Sequence, residues 1–79
     1  MNEFENKVMQ HLGALMPVSF KLATPLSQLH LIREKILARG MKPFDKEDIM
    51  VELGRLQRIA GELRAEMLEI HDLLKYQER

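Results

Sequence analysis

The chain has 79 residues, with 12 basic and 12 acidic side chains and a formal net charge of zero. This length predicts one domain, residues 1–79, which is marginally stable unless it packs very well or associates. The absence of cysteine excludes disulfides, thiolate metal sites and cysteine nucleophiles, and a neutral chain does not favour a polyanionic partner.

The first predicted helix covers about residues 3–16. Asn2 and Glu5 have the spacing of a capping box, in which Asn2 is the N-cap and Glu5 the third helical residue. The apolar residues of this segment recur at helical spacing on one face. Pro17 is expected to end the helix, because the residue before a proline is driven out of the helical region.

Residues 17–24 are expected to form an extended connector. Val18, Phe20 and Leu22 alternate with less apolar residues, a period of two that is typical of extended chain. The favoured interpretation is a connector that presses these three side chains onto the core. The alternative is a short strand that adds to the sheet edge of a partner.

The second predicted helix covers about residues 25–39. Thr24 is a suitable N-cap, Pro25 occupies the favoured first position, and Gly40 is placed as a C-terminal stop. Arg33 falls among leucines on the packing face, which predicts either an arginine at the core edge or an interface arginine. Leu31 lies far outside that face and is a possible interaction residue.

The third predicted helix, about residues 45–76, is long and amphipathic. Asp45 is its expected N-cap, with Phe44 and Ile49 placed as a hydrophobic staple. Its apolar residues alternate in steps of four and three, the heptad pattern of a helix that packs along another helix. We expect this seam to carry the interaction: positions a are Leu53, Ala60, Met67 and Leu74, and positions d are Ile49, Leu56, Leu63 and Ile70.

Further apolar residues widen the face of the long helix beyond the seam. Ile59 and Leu73 flank it, which suits a helix that contacts two or more neighbours. Gly54 and Gly61 lie seven residues apart on one side of the helix, although each costs about 1 kcal/mol relative to alanine. Close approach of another helix would explain both glycines, so they are possible interaction residues.

The pattern therefore predicts an all-α fold, either a helical hairpin or a three-helix module. The short turn after residue 39 forces the second helix back along the N-terminal half of the long helix. The first helix then covers the C-terminal half, or it stacks beside the second and leaves that half bare. The sequence leaves both layouts open.

No catalytic, metal or cofactor site is predicted. His11, His30 and His71 lie on three different predicted helices, outside any metal-ligand spacing. Glu62, Glu66 and Glu69 form an acidic strip, which we interpret as a solvated face.

These observations predict a non-enzymatic protein–protein interaction module of the adaptor, co-chaperone, assembly-factor or inhibitor kind. It would pair with itself as a homodimer or with another protein. A helix-turn-helix-like nucleic-acid-binding regulator is the alternative, because the middle of the chain is basic. Its weakness is that Asp45, Glu47 and Asp48 occupy the turn that would face phosphates. We expect a cytoplasmic protein without a membrane partner, because no signal-peptide pattern or spanning apolar run is present.

Overall fold

The computed structural model describes residues 2–77 and is helical almost throughout. Its helical segments are α1 (Glu3–Lys21), α2 (Ala23–Arg39) and α3 (Pro43–Gln77). Helices α1 and α2 join as one bent helix, the first arm, and α3 is the second arm, which runs back along it. The extents are 58 × 18 × 14 Å. The all-α class is confirmed, but the three-helix module is wrong: the described chain is an elongated hairpin of two arms rather than a compact bundle.

The extended connector predicted at residues 17–24 is also wrong. Helix α1 runs through Pro17 to Lys21, and Leu22 keeps helical dihedral angles (φ −66°, ψ −27°). The Leu22 amide donates to Ser19 O at 3.1 Å, and the Leu26 amide donates to Leu22 O at 3.2 Å. The prediction failed because Val18 and Leu22, four residues apart, both turn toward α3, and this packing overrides the period-two pattern.

The bend in the first arm has a local cause in Pro25. A proline has no amide hydrogen, and its ring crowds the carbonyl group four residues earlier, which here belongs to Lys21. Helix α1 ends at that residue. Thr24 is therefore an interior helical residue and not the predicted N-cap, and Pro25 is the third residue of α2.

The turn between the arms follows the sequence prediction at Gly40 and departs from it at Asp45. Gly40 has φ +84°, a conformation that side chains other than glycine rarely adopt. Helix α3 begins at Pro43, so Pro43 holds the first helical position and Asp45 the third. The Lys42 amide donates to Asp45 Oδ2 at 2.7 Å. Asp45 thus caps from inside the helix, as the third residue of a capping box does.

The seam between the arms uses one of the two predicted rows of α3. The d residues are half-buried against the first arm, but the residues beside them are those at heptad position g, three residues after each d, and not those at position a. Together the covered positions of α3 are Ile49, Glu52, Leu56, Ile59, Leu63, Glu66, Ile70 and Leu73. The a residues Leu53, Ala60, Met67 and Leu74 are exposed, so the single chain leaves this half of the predicted seam uncovered. The role of these residues in an interaction stays a prediction.

Helix α1 covers the C-terminal half of α3, which decides between the two predicted layouts. Its half-buried side chains follow the same alternation of three and four residues as those of α3. They are Phe4, Val8, His11, Leu15, Val18 and Leu22. Helix α2 covers the N-terminal half of α3 in the same way, through Leu29, Ile32 and Ile36.

Candidate interaction surface

Two ion pairs tie α1 to α3 through residues that the sequence reading assigned to a solvated strip. His11 Nδ1 lies 2.8 Å from Glu66 Oε2, with both side chains partly buried. Lys21 Nζ lies 3.0 Å from Glu62 Oε2. The predicted solvated strip is therefore wrong for Glu66, whose side chain is 30% exposed, whereas Glu62 and Glu69 are exposed as predicted.

Glu52 brings a carboxylate into the seam between α2 and α3. Only 7% of the residue is exposed. Its Oε1 accepts a hydrogen bond from Arg55 at 2.9 Å, while its Oε2 is buried without a hydrogen-bond partner. A buried oxygen without a partner costs free energy, so Glu52 weakens the seam at this point.

Asp45 and Arg39 lock the turn between the arms. Arg39 Nη1 and Nη2 donate to Asp45 Oδ2 and Oδ1 at 2.9 and 3.0 Å, a two-point contact of guanidinium and carboxylate. The Arg39 Cζ atom also lies 5.1 Å from the centre of the Phe44 ring. Hydrogen bonds from Arg39 and from the Lys42 amide lower the pKa of Asp45 to about 2. This lock fixes the direction in which α3 leaves the turn.

The exposed a residues of α3 form an apolar row along its length. Leu53 and Leu74 are each 47% exposed, Met67 is 55% exposed, and Ala60 lies between them. Because the a and d positions of a heptad are neighbours on the helix surface, this row borders the seam directly. The row is therefore continuous with the covered apolar stripe, but no part of the described chain covers it.

The first arm carries a matching exposed row on the same side of the hairpin. At 100° per residue, Leu12, Met16 and Leu26 lie roughly a quarter turn from the residues that face α3. One shallow groove is lined by Met9 together with Leu74 of α3, which places the two rows side by side. We call the combined surface the apolar face, and it comprises Met9, Leu12, Met16, Leu26, Leu37, Met50, Leu53, Ala60, Met67 and Leu74.

The opposite side of the hairpin, which we call the polar face, is built mainly from charged and amide side chains. A groove there is lined mostly by Gln28, Leu31, Ile32, Lys35, Asp48, Val51 and Glu52. A second groove, around the bend, is lined by Lys21, Thr24, Pro25, Arg55, Arg58, Ile59 and Glu62. Leu31 and Val51 are exposed on this face and line the first groove together. A few exposed apolar residues among charged side chains are ordinary for a protein surface.

Arg33 lies within the exposed row of the first arm, seven residues after Leu26 and four before Leu37. It lines a groove with Leu29, Leu37 and Ile49. Its Nη1 atom lies 3.3 Å from Glu34 Oε1, and the side chain is 68% exposed. Arg33 therefore pairs with a neighbour on its own helix rather than with a glutamate of the long helix.

The structure contains no contact that explains Gly54 or Gly61 within the chain. A Cβ atom built at either position meets nothing within 4 Å. Close approach of α1 or α2 is therefore not the reason for these glycines. Their role as possible interaction residues stays a prediction that concerns surfaces outside the described hairpin.

The described hairpin has no conventional core. Among the side chains that the structure describes, no aliphatic, aromatic or methionine side chain is fully buried, while Asp45, Glu52 and Pro25 are. Two helices side by side cover each other along one stripe only, so each apolar residue keeps one flank exposed. The described hairpin therefore lacks the second layer of packed helices that would cover the exposed flanks of its apolar residues.

The described residues lack a metal site and a membrane-spanning helix. Within residues 2–77, no group of three His, Asp or Glu side chains is placed to hold a metal ion. No helix in this part of the chain combines the length and apolarity that crossing a bilayer requires.

Comparison with known proteins adds no assignment. No protein-family model matches the chain, and neither a curated protein nor a solved structure is significantly similar to it.

Proposed function

We propose that this chain is a non-enzymatic protein–protein interaction module that docks its apolar face on the helical surface of a protein. The observation that carries the proposal is the apolar face itself, which follows both arms of a hairpin that has no buried apolar core. Adaptors, co-chaperones, assembly factors and inhibitors are the classes of protein to which such a module belongs.

The shape of the apolar face favours a helical partner. It consists of two parallel rows of side chains with a shallow groove between the arms, lined near one end by Phe4, Val8, Met9 and Leu74. Ridges of helical side chains fit grooves of this kind. Four of its ten residues are methionines, Met9, Met16, Met50 and Met67, and flexible thioether side chains adapt to irregular partner surfaces.

The alternative, a nucleic-acid-binding regulator, has less support from the geometry. Several basic side chains of the middle region pair with carboxylates of the chain: Lys21 with Glu62, Arg33 with Glu34, and Arg39 with Asp45. Each pairing reduces the positive charge available to phosphates. The first turn of α3 also contains Asp45, whose pKa is lowered to about 2, so that its carboxylate is negatively charged.

Thiol labelling tests the proposal, because a chain without cysteine accepts a single reporter. Met67→Cys places the thiol on the apolar face and Val51→Cys places it on the polar face. The two residues make a matched pair, since both lie on α3 and they are 55% and 54% exposed. The labelling rate of each is measured in lysate of cells that express the chain, relative to the rate in urea.

The proposal predicts that labelling of Met67→Cys is slowed severalfold while Val51→Cys reacts at the rate of an exposed thiol. Equal and rapid labelling of both positions would show that nothing covers the apolar face, and the proposed function would then be wrong. Slow labelling at Val51→Cys alone would place the interaction on the polar face, which contradicts the proposal equally.

A further inference from the structure

We propose that the apolar face is occupied by a second copy of this chain, so that two hairpins pack face to face as a four-helix dimer. This inference rests on the proposed function and names the partner at the same surface. Three observations support it: the surface area of the chain, the shape of the apolar face, and the charge of the chain.

The exposed surface area of the hairpin indicates how much of it a partner would cover. A folded monomer of 9.3 kDa is expected to expose about 5,000 Å². The hairpin exposes 6368 Å², which is about 1,400 Å² more than that expectation. Two copies that hid this excess from each other would bury about 2,800 Å² in total, within the range of roughly 2,000–5,000 Å² that permanent homodimers bury.

The shape of the apolar face indicates what can cover it. The exposed apolar residues lie on both arms and run from Met9 and Leu74 at one end to Leu37 and Met50 at the other. A single partner helix covers one groove at most, so a full cover is two helices wide and as long as the hairpin. A second copy offers a surface of that width, length and apolarity, and a two-fold axis brings the same patch of both copies together.

The charge of the chain permits the two copies to approach. The formal net charge is zero, so no overall repulsion opposes association. The ion pairs that the structure places between the arms, His11 with Glu66 and Lys21 with Glu62, lie in the seam or on the polar face. Packing through the apolar face therefore leaves these pairs intact and places no charge at the a positions of α3. It does bring Glu5 and Arg33 of the first arm, which line grooves on that face, to the interface.

The test uses purified chain with the same two cysteine variants. Labelling rates of Met67→Cys and Val51→Cys are measured with a monofunctional thiol reagent from about 1 to about 100 μM protein, because a homodimer is populated according to protein concentration. Both variants replace an exposed side chain with a small one, and circular dichroism verifies their helix content. A dimer predicts that labelling at Met67→Cys is severalfold slower than at Val51→Cys at the highest concentration, and at every concentration if the dimer is tight, while labelling at Val51→Cys does not change with concentration.

Labelling of Met67→Cys that stays rapid at every concentration, with helix content intact, would overturn the second copy as the occupant. If the same thiol is nevertheless protected in lysate, the proposed function stands and the partner is a different protein. If the thiol is unprotected in both settings, the dimer and the proposed function both fail. The two proposals are therefore separated by the same pair of variants.

Discussion

The two long faces of the hairpin differ in how their apolar residues are arranged, rather than in whether they have any. On the polar face, Leu31 and Val51 line one groove with Ile32, and the other four residues of that groove are charged or amide side chains. On the apolar face, residues of similar exposure recur along the length of both arms, and on the first arm Arg33 interrupts the row between Leu26 and Leu37. Isolated exposed apolar residues are ordinary, whereas a contiguous apolar surface marks an interaction site. Arrangement, and not exposure of single residues, therefore identifies the candidate surface.

The largest expected loss of stability comes from a substitution in the seam between the arms, which borders both faces. Leu63→Asp places a charge at a half-buried position between the arms, and desolvation of that carboxylate should cost several kcal/mol. We expect loss of cooperative unfolding by circular dichroism, since the domain has little stability to lose. A variant that kept the melting temperature and mass of the parent chain would show that the arms do not depend on this seam.

The next largest loss of stability is expected when the same substitution is made on the apolar face rather than on the polar face. Met67→Asp and Val51→Asp introduce the same charge at equal exposure on opposite faces of α3. If Met67 is covered by a second copy, its replacement should cost about 2–4 kcal/mol per chain from lost burial and an unpaired charge. Val51→Asp should stay within about 0.5 kcal/mol. Equal effects in chemical denaturation would remove the distinction between the faces.

A smaller effect concerns the turn, which holds both faces in register. The pKa of Asp45 in the folded chain is about 2, below its ordinary value of 3.8. The ionised carboxylate therefore stabilises the fold above about pH 4, and this contribution is lost as pH falls from about 4 to about 2. Asp45→Asn should flatten the dependence of melting temperature on pH in that window.

The control for this variant is Asp72→Asn, which removes an exposed carboxylate of α3 outside the turn. Its pH dependence should match that of the parent chain. If Asp45→Asn and the parent chain lose stability in parallel between pH 4 and pH 2, the Arg39–Asp45 lock does not contribute to folding.

Removal of the buried Glu52 carboxylate from the seam should raise the stability of the fold slightly. Glu52→Leu removes an oxygen that has no partner and leaves Arg55, whose side chain is 55% exposed, in contact with water. We expect a gain of about 1 kcal/mol, or about 4–8 °C in melting temperature for a domain of this size. A decrease would indicate that Glu52 has a partner in solution.

The smallest effect tests the glycine side of α3. Because a methyl group at Gly61 meets nothing within 4 Å, Gly61→Ala should stabilise the helix by up to about 1 kcal/mol. Gly13→Ala is the matched control in the first arm, where the space is equally open. A loss of stability at Gly61 alone would place a partner helix against this side.

The parts of the fold that depend on local signals could be predicted from sequence. Asn2 does cap α1, since the Glu5 amide donates to its Oδ1 at 2.8 Å, and Gly40 ends α2. The long helix and its d residues also follow from spacing alone. Pro17 and Pro25 were misread as helix boundaries, because each proline disfavours a helix locally while packing of Leu15, Val18 and Leu22 against α3 keeps the first arm helical.

The seam shows where sequence reasoning reached its limit. Both the a and g rows of α3 border the d row, and both contain apolar residues, so spacing alone could not choose between them. The structure selects the g row, where Glu66 meets His11 across the arms. The signal that could have identified it is the single pairing of Glu66 at position g with His11 of the first helix; the other acidic g residue, Glu52, pairs with Arg55 on its own helix. The a residues are exposed in the single chain, so their predicted role in an interaction remains a prediction.

The mass of the chain in solution tests most directly whether a second copy covers the apolar face. Light scattering on a sizing column, at two protein concentrations, should give about 19 kDa, twice the 9.3 kDa of one chain, with the lower concentration shifted toward the monomer if dissociation is measurable. Met67→Asp should give the monomer mass, and Val51→Asp should keep the dimer mass. A mass of one chain at both concentrations, with full helix content, would contradict the claim that a second copy covers the apolar face.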